Sequence, residues 1–286
     1  MDSALNPKKV SKRLYPERDP DSHKYDFGHL LVVGGSKKYS GSPTFNSLGA
    51  YRSGVDLVTT AVPESIANTI SSFSPSLITH PLSKSYISPF DTSELEGLAE
   101  KADAVVIGGG VERREETMKC VRNFLKGLNI PSVIDADAIH AVAGKKELLK
   151  EDFILTPHLR EFEVLADSEI PKGLNERKKL IKQVASELGA TILLKGRTDL
   201  MSQGEKVLEN ETGTPYLTKG GTGDILAGIA GGLLARGSEA IDSAYGAAYL
   251  TGKAGEIASK DKKEGLMPEE ILEKIPQAIE KFRSKS

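Results

Sequence analysis

The chain has 286 residues, a formal net charge of -2 and 38% hydrophobic residues. A near-neutral chain gives no electrostatic reason to expect nucleic acid or an anionic membrane as a partner. Its single cysteine, Cys120, excludes an intramolecular disulfide framework and suits a reducing cytosol. No apolar run approaches the ~20 residues that span a bilayer, and the polar beginning of the chain lacks the apolar stretch of a signal peptide. We therefore expect a soluble, cytoplasmic protein.

Short apolar runs rich in β-branched residues alternate with helical patterns along the chain. Each run ends in Gly, Pro or Asp, as strands do where they enter a loop. Because the runs are apolar throughout, we expect strands buried on both faces, and hence a mostly parallel central sheet flanked by helices on both faces. The predicted strands are residues 29–35, 56–63, 76–82, 102–110, 131–137, 153–157 and 190–196.

The pattern changes after Lys195. Two short runs separated by Gly204 predict a hairpin, and residues 214–218 predict a further extended piece. No linker-like stretch divides the chain, so residues 26–286 are predicted to form a single α/β domain. Residues 1–25 are predicted to be a polar lead-in that packs against a neighbouring subunit. The last helices are expected at 222–236, 239–258 and 268–283.

Glycine-rich or polar residues follow five of the predicted strands. Ligands of open parallel sheets bind beyond the carboxyl ends of the strands, so five such ends on one edge favour a binding site there. Neither the Walker pattern nor the Rossmann fingerprint fits these loops, so a nucleotide would have to bind in another way. The five strand ends are residues 34–36, 108–110, 135–137, 156–158 and 195–196.

The stretch TKGGTGDILAGIAGGLLARG, residues 218–237, has the composition of an anion site. Gly221 and Gly223 allow close backbone approach, and a helix that begins near Thr222 adds the positive end of its dipole. Asp224 has two interpretations. It is either a helix cap, or a base that takes a proton from a hydroxyl attacking a phosphate.

Three further residues at the strand ends also have alternative interpretations. Lys195 is either a point charge for a phosphate or a solvated lysine. His158 and Glu161 are too few for a zinc site, so a hydrogen-bonding histidine in a substrate pocket is the better hypothesis. Asp137 is either an N-cap or a site residue.

In order along the chain, these stretches resemble the ADP/ATP-dependent NAD(P)H-hydrate dehydratases of the ribokinase-like superfamily. The resemblance runs from about Gly28 to Gly237. The Gly-Thr-Gly-Asp motif alone indicates only the superfamily, whereas the ordered set is more specific. The matching stretches are GHLLVVGGSKKYSG, VVIGGGV, VIDADAIH, ILTPHLREFEVL, LLKGRTDLMS and TKGGTGDILAGIAGG.

The resemblance implies a ribokinase-like fold and a repair enzyme that dehydrates hydrated NADH or NADPH while ADP or ATP is hydrolysed. In the family scheme the substrate hydroxyl is phosphorylated and phosphate is then eliminated. Asp224 would activate that hydroxyl, and the N–H groups of Gly221, Thr222, Gly223 and Asp224 would hold the transferring phosphoryl group.

The resemblance also implies the binding positions. Mg²⁺ would offset the phosphate charge, and no protein side chains are predicted to bind it. The protein would be a homo-oligomer such as a tetramer. The implied nucleotide-binding residues are Lys195, Gly196, Arg197, Thr198, Asp199 and Gly223, and the implied substrate-binding residues are Ser42, Gly110, His158 and Asp224.

Several positions depart from the family pattern. Gly109 stands where the family's glycine loop carries Pro, Ser42 where Ala is common, and Lys219 where a small residue is frequent. Leu159, Arg160 and Glu161 replace Pro-Gly-Glu. The short lead-in cannot hold the epimerase domain of bifunctional relatives, so epimerisation is expected to come from elsewhere.

Two rival functions remain open at this stage. A small-molecule kinase of the same superfamily, acting on a vitamin precursor, would share the fold and base but release a stable phosphate ester. A non-catalytic adenylate or NAD sensor would bind nucleotide without turnover.

Overall fold

The computed structural model describes residues 7–83 and 85–284. Its middle layer is a nine-stranded sheet. The strands are β1 (His29–Val33), β2 (Leu57–Pro63), β3 (Ile78–Leu82), β4 (Ala104–Ile107), β5 (Ser132–Ile134), β6 (Phe153–Leu155), β7 (Thr191–Leu194), β8 (Asp199–Ser202) and β9 (Val207–Asn210). They lie in the order β3-β2-β1-β4-β5-β6-β7-β8-β9. All pairs from β3 to β7 are parallel, and β8 is antiparallel to both β7 and β9.

The strand order reverses at β1. From β1 the chain adds β2 and β3 on one side, then returns to place β4 on the other side and continues outward to β9. Loops that leave neighbouring strands in opposite directions open a crevice at the carboxyl edge of a parallel sheet. The glycine-rich loops after β1 and β4 therefore border the natural ligand crevice of this fold.

Helices cover both faces of the sheet. They are α1 (Pro7–Leu14), α2 (Gly41–Ser53), α3 (Glu64–Phe73), α4 (Thr92–Ala99), α5 (Glu115–Gly127), α6 (Asp137–Val142), α7 (Leu159–Ala166), α8 (Leu174–Leu188), α9 (Thr222–Ala235), α10 (Ala240–Lys262) and α11 (Pro268–Ser284). Among the helices in the described ranges, none has both the length and the apolar character that a membrane crossing requires.

Alternate residues of the central strands enter two separate cores. Leu30 and Val32 of β1 pack in the core formed by α1, α2, α9, α10 and α11, whereas Leu31 and Val33 pack in the core that contains α4, α5 and α6. This is the two-residue period of a strand buried on both faces. The predicted mostly parallel sheet with helices on both faces is confirmed.

Two local predictions are wrong. The predicted strand at 76–82 is a partly exposed edge strand rather than a buried one, because only one neighbour pairs with it and Ile78 is 47% exposed. Residues 214–218 do not form an extended piece. Pro215–Leu217 is a short 3-10 turn, since the Leu217 N–H donates to the Thr214 carbonyl at 3.1 Å.

Part of the segment predicted as a polar lead-in is the helix α1. Its Val10 and Leu14 are buried against α10 and α11 of the same chain, as expected for apolar residues four apart on one helix face. Arg13 also forms a two-pronged contact with the buried carboxylate of Asp242, with one nitrogen–oxygen distance of 2.7 Å. Residues 1–6 of the predicted lead-in lie outside the described residues.

Candidate active site

The five glycine-rich or polar strand ends meet at one edge of the sheet. The Gly35 N–H donates to the Gly109 carbonyl at 2.8 Å, which joins the loops after β1 and β4. The Lys195 N–H donates to the Pro157 carbonyl at 2.9 Å, which joins the ends of β6 and β7. The sheet therefore brings together side chains that lie far apart in the sequence.

The N-terminus of α9 opens toward this edge. Gly221 adopts the left-handed conformation with φ 99°, which glycine tolerates best, and it precedes the first helical residue, Thr222. The first N–H groups of a helix have no carbonyl partner within it, so those near Gly223 are available to an anion. The Thr222 hydroxyl is buried and has no hydrogen-bond partner within residues 7–83 and 85–284.

A partly buried lysine lies beside this helix N-terminus. The Lys195 ammonium is 3.1 Å from Asp135 Oδ1, and a Cβ added at Gly223 would lie 3.4 Å from that ammonium. Burial alone would lower the pKa of Lys195, but the charges of Asp135, Glu161 and Asp224 outweigh it and raise the pKa. The lysine therefore stays protonated and offers a fixed positive charge at the site. Its interpretation as a solvated surface lysine is wrong.

Asp135 anchors that lysine from the end of β5. Its side chain is 3% exposed, and its Oδ1 accepts hydrogen bonds from both Thr156 Oγ1, at 2.6 Å, and Lys195 Nζ. A buried carboxylate is tolerable only when it is paired and hydrogen-bonded in this way. The ion pair of Asp135 with Lys195 thus places two hydrogen-bonded charged groups beside the N-terminus of α9.

Asp224 occupies the third position of α9. No hydrogen bond from its carboxylate to the main chain is found in the described part of the chain, and the N-cap position belongs to Gly221. The helix-cap interpretation therefore has no support in the geometry. Burial, followed by the charge of Asp135, raises the pKa of Asp224 to about 7, although a hydrogen bond with Ser42 and the charge of Lys195 act in the opposite direction. A carboxyl group with such a pKa can exchange a proton near neutral pH.

The predicted nucleotide loop is the short connection between the antiparallel strands β7 and β8. Gly196 and Arg197 are exposed, and Thr198 is partly buried. Asp199 braces the loop, because its carboxylate accepts from the Gly196 N–H and from Asn210 Nδ2, each at 3.0 Å. Burial raises the pKa of Asp199. Asp199 thus shapes the loop from within.

The predicted substrate residues lie on three different segments, of which His158 follows Pro157, whose carbonyl accepts from the Lys195 N–H. Ser42, the second residue of α2, approaches Gly109, since its Cβ would lie 3.2 Å from a Cβ added there. Gly110 has φ 72° and touches the loop after β1 through Tyr39. His158 is an exposed residue at the start of α7. It is the N-cap of α7, and its Nδ1 accepts from the Arg160 and Glu161 N–H groups at 3.1 and 3.2 Å.

Some residues at the site were missed by sequence reasoning or misread. Asp137 is not an N-cap, because Ala136 takes that position and the Asp137 carboxylate instead lies 3.3 Å from Arg113 Nε. Asn46, which contacts Asp224, carries no sequence signal beyond being polar within apolar surroundings, whereas Thr156 belongs to a predicted strand end but its hydrogen bond to Asp135 was not predicted.

The crevice at the point of strand reversal, with a glycine-rich helix N-terminus on its rim, defines a ribokinase-like α/β protein. A solved ADP/ATP-dependent NAD(P)H-hydrate dehydratase from Bacillus subtilis, co-crystallised with ATP/Mg²⁺, superposes with a TM-score of 0.80 at 25% identity, covering 96% of this chain and 97% of that one.

Within that class, the chain belongs to the NAD(P)H-hydrate dehydratase family, whose model matches residues 30–277. The ADP-dependent (S)-NAD(P)H-hydrate dehydratase of Cenarchaeum symbiosum is 36% identical over 274 residues, 95% of each chain. The bifunctional NAD(P)H-hydrate repair enzyme of Pyrobaculum aerophilum is 38% identical over 271 residues, which are 94% of this chain and 54% of that relative. The chain spans about half the length of the bifunctional relatives that it matches.

Proposed function

We propose that this protein is an ADP/ATP-dependent NAD(P)H-hydrate dehydratase that returns hydrated NADH or NADPH to the reduced cofactor while ADP or ATP is hydrolysed. The observation that carries the proposal is Asp224. Its carboxylate is largely enclosed and makes no bond to its own main chain in the described part of the structure, and its pKa is raised to about 7 at the mouth of an anion-binding helix. A phosphate-binding site alone gains nothing from a carboxylate that would repel its ligand.

The chemistry assigned to Asp224 is proton removal from the substrate hydroxyl. As the hydroxyl oxygen bonds to the terminal phosphorus of the nucleotide, Asp224 takes the hydroxyl proton and the nucleotide departs with one phosphate fewer. The carbon–oxygen bond then breaks and a proton leaves the neighbouring carbon, which forms the ring double bond. The hydroxyl oxygen departs within inorganic phosphate.

The N-terminus of α9 supplies the electrostatic stabilisation in this scheme. The N–H groups of Gly223 and Asp224, in the first turn of α9, suit the oxygens of a transferring phosphoryl group, and those of Gly221 and Thr222 are proposed to join them, although the Thr222 N–H donates to the Lys219 carbonyl at 3.3 Å in this structure. Lys195 adds a full positive charge that its pairing with Asp135 holds in place. Preorganised donors of this kind need no rearrangement as negative charge develops.

The nucleotide is proposed to run from this helix N-terminus along the loop of residues 195–199. Asn210, which bonds to Asp199, also lines a groove of about 580 Å³ between β9 and α10. Three carboxylates of the groove can accept hydrogen bonds from ribose hydroxyls and a base amino group. Two of them are also paired with lysines, Glu209 with Lys178 and Glu256 with Lys253, each at 2.6 Å, and Lys253 itself lines the groove. The base and ribose therefore suit the groove, and the phosphates suit Lys195. The three carboxylates are those of Glu209, Glu211 and Glu256.

Mg²⁺ is proposed to enter with the nucleotide. Within residues 7–83 and 85–284, no group of three or more His, Cys, Asp or Glu side chains is arranged to hold a metal ion. The donor set therefore fits an ion held chiefly by phosphate oxygens and water, as Mg²⁺ commonly is. Asp135 and Glu161, the carboxylates that act on Lys195, would accept hydrogen bonds from its water ligands. Bound there, Mg²⁺ would offset the phosphate charge.

The hydrated nicotinamide is proposed to lie against Ser42, Gly110 and His158. His158 retains Nε2 for this contact because only its Nδ1 caps α7, although Glu161 Oε1 lies 3.4 Å from Nε2. We also propose a cytoplasmic homo-oligomer such as a tetramer. The single cysteine, Cys120, is buried, which is compatible with a reducing compartment. Light scattering of the purified protein measures the oligomeric state.

The test is incubation with hydrated NADH, Mg²⁺ and either ADP or ATP. Recovery of the absorbance of reduced nicotinamide, with one phosphate released per NADH formed, is the expected result. No recovery with either nucleotide contradicts the proposal. A stable phosphate ester formed from a vitamin precursor would instead identify a small-molecule kinase, and nucleotide binding without any turnover would identify a sensor.

A further inference from the structure

A buried amide joins α2 to the first turn of α9. Asn46, in the middle of α2, is 1% exposed, and its Nδ2 donates to the main-chain oxygen of Asp224 at 2.8 Å. The two residues are 178 positions apart in the chain. Burial of an amide is costly unless it is hydrogen-bonded, so this contact fixes the relative position of the two helices at the catalytic end.

The helix backbones touch where this amide lies. A Cβ added at Gly228 would lie only 2.0 Å from the main-chain oxygen of Asn46, and one added at Gly49 would lie 2.7 Å from the Ile225 oxygen. The backbones of α2 and α9 are therefore in direct contact at Asn46 and at Gly49. The side chain of Asn46 adds to this contact a hydrogen bond from the middle of α2 to the first turn of α9.

Gly109 leaves the space that this side chain uses. A Cβ at Gly109 would lie 2.9 Å from Asn46 Oδ1 and 3.0 Å from Asp224 Oδ1, distances that real Cβ contacts essentially never or seldom show. Gly109 is not among the glycines with positive φ, so its backbone does not require glycine. The requirement is space. A side chain at this position would therefore have to displace the Asn46 amide or the Asp224 carboxylate.

We propose that Asn46 and Gly109 form a matched pair that positions Asp224, with Asn46 holding its main chain and Gly109 admitting its carboxylate over the crevice. The proposal rests on the function proposed above only in taking Asp224 as the base. Asn46 is a positioning residue, since it reaches the substrate through Asp224 alone.

The test compares Asn46→Ala, Asn46→Asp and Gly109→Ala with Ser47→Ala. Ser47 is the matched control, because it is fully buried on the same helix but bonds to Thr60 and to its own helix, away from α9. The first readout is kcat and KM. Asn46→Ala and Gly109→Ala are each expected to lower kcat by about 10- to 100-fold with little change in the KM for nucleotide, the cost of misplacing a reacting group by about 1 Å.

The second readout separates positioning from a general loss of structure. Adding Gly109→Ala to Asn46→Ala should cost less than Gly109→Ala costs alone, because the amide that approaches the new methyl group most closely is gone, while Asp224 Oδ1 and Ser42 Cβ remain. Full additivity of the two changes, or a loss of kcat in Asn46→Ala no greater than in Ser47→Ala, would overturn the proposal.

The third readout does not depend on turnover. NMR titration of the Asp224 carboxyl follows its pKa directly, and the other charged groups that act on it are Asp135 and Lys195. Asn46→Asp places a like charge beside Asp224 and should raise its pKa further, whereas Ser47→Ala should leave it unchanged. An Asp224 titration that is identical in all variants would refute the pairing even if the wild-type protein repairs hydrated NADH. Absence of repair in the wild type would instead refute the proposed function.

Discussion

Replacing Asp224 by Asn should make the protein more stable, and the gain should depend on pH. The pKa of Asp224 is raised from the ordinary value of 3.8 to about 7, chiefly by burial. Below about pH 4 the carboxyl is protonated in both the folded and the unfolded chain, so it favours neither. Between about pH 4 and pH 7 the unfolded chain releases this proton while the folded chain keeps it, so stability falls by about 1.36 kcal/mol for each pKa unit of the shift, or about 4 kcal/mol in all, and stays at that level above pH 7.

Asparagine has nearly the same shape but no charge, so it avoids that cost. The free energy of unfolding of Asp224→Asn should exceed that of the wild type by up to about 4 kcal/mol at pH 8, and the two should converge toward pH 4. Urea unfolding from pH 4.5 to 8.5 measures the difference. Asp137→Asn is the control, since that carboxylate pairs with Arg113 at the surface. A difference in stability that is independent of pH, or a variant less stable than the wild type at pH 8, would refute the reasoning that burial of the Asp224 charge destabilises the folded state.

Three further changes test the site and its support. Lys195→Met should abolish nucleotide turnover and destabilise the fold by about 3–5 kcal/mol, because it leaves the buried Asp135 carboxylate without a partner. The double variant with Asp135→Asn should regain stability in chemical unfolding but show no turnover in the repair assay. Gly228→Ala should lower the free energy of unfolding by about 3 kcal/mol or more, since its new methyl group would meet the backbone of α2. Gly97→Ala, in open space on α4, should raise it by about 0.5–1 kcal/mol. Melting temperatures that shift in the same direction in both variants would contradict this packing. His158→Ala should lose about 1 kcal/mol of stability by uncapping α7 as well as raise the KM for hydrated cofactor, and an unchanged unfolding midpoint would exclude the capping role.

The layered fold was predictable because uniformly apolar, β-branched runs have few alternatives. A run such as residues 102–110 can only be a strand covered on both faces, and β4 is that strand. The turn at Pro215–Leu217 was not predictable, because Pro and Tyr suit extended backbone as well as a tight turn. Helix α1 was missed because charged residues dominate its sequence, and only the apolar face with Val10 and Leu14 indicates packing.

The candidate site was only partly accessible from the sequence for a different reason. Strand ends with glycine or acidic residues indicate where ligands gather, and those loops do meet at one edge. Which side chains pair there depends on the order of strands, which no local pattern encodes. The partnership of Asp135 with Lys195 spans 60 residues, and that of Asn46 with Asp224 spans 178. The roles assigned to the nucleotide and substrate residues stay predictions.

The most direct measurement of the central claim is single-turnover repair of hydrated NADH by Asp224→Asn, together with calorimetric titration of ADP into the same variant. The account predicts that the rate of NADH formation falls by about 10²- to 10⁴-fold, the usual contribution of a general base, while ADP binds at least as tightly as to the wild type because a repelling charge has been removed. A variant that repairs hydrated NADH at the wild-type rate would contradict the assignment of Asp224 as the base.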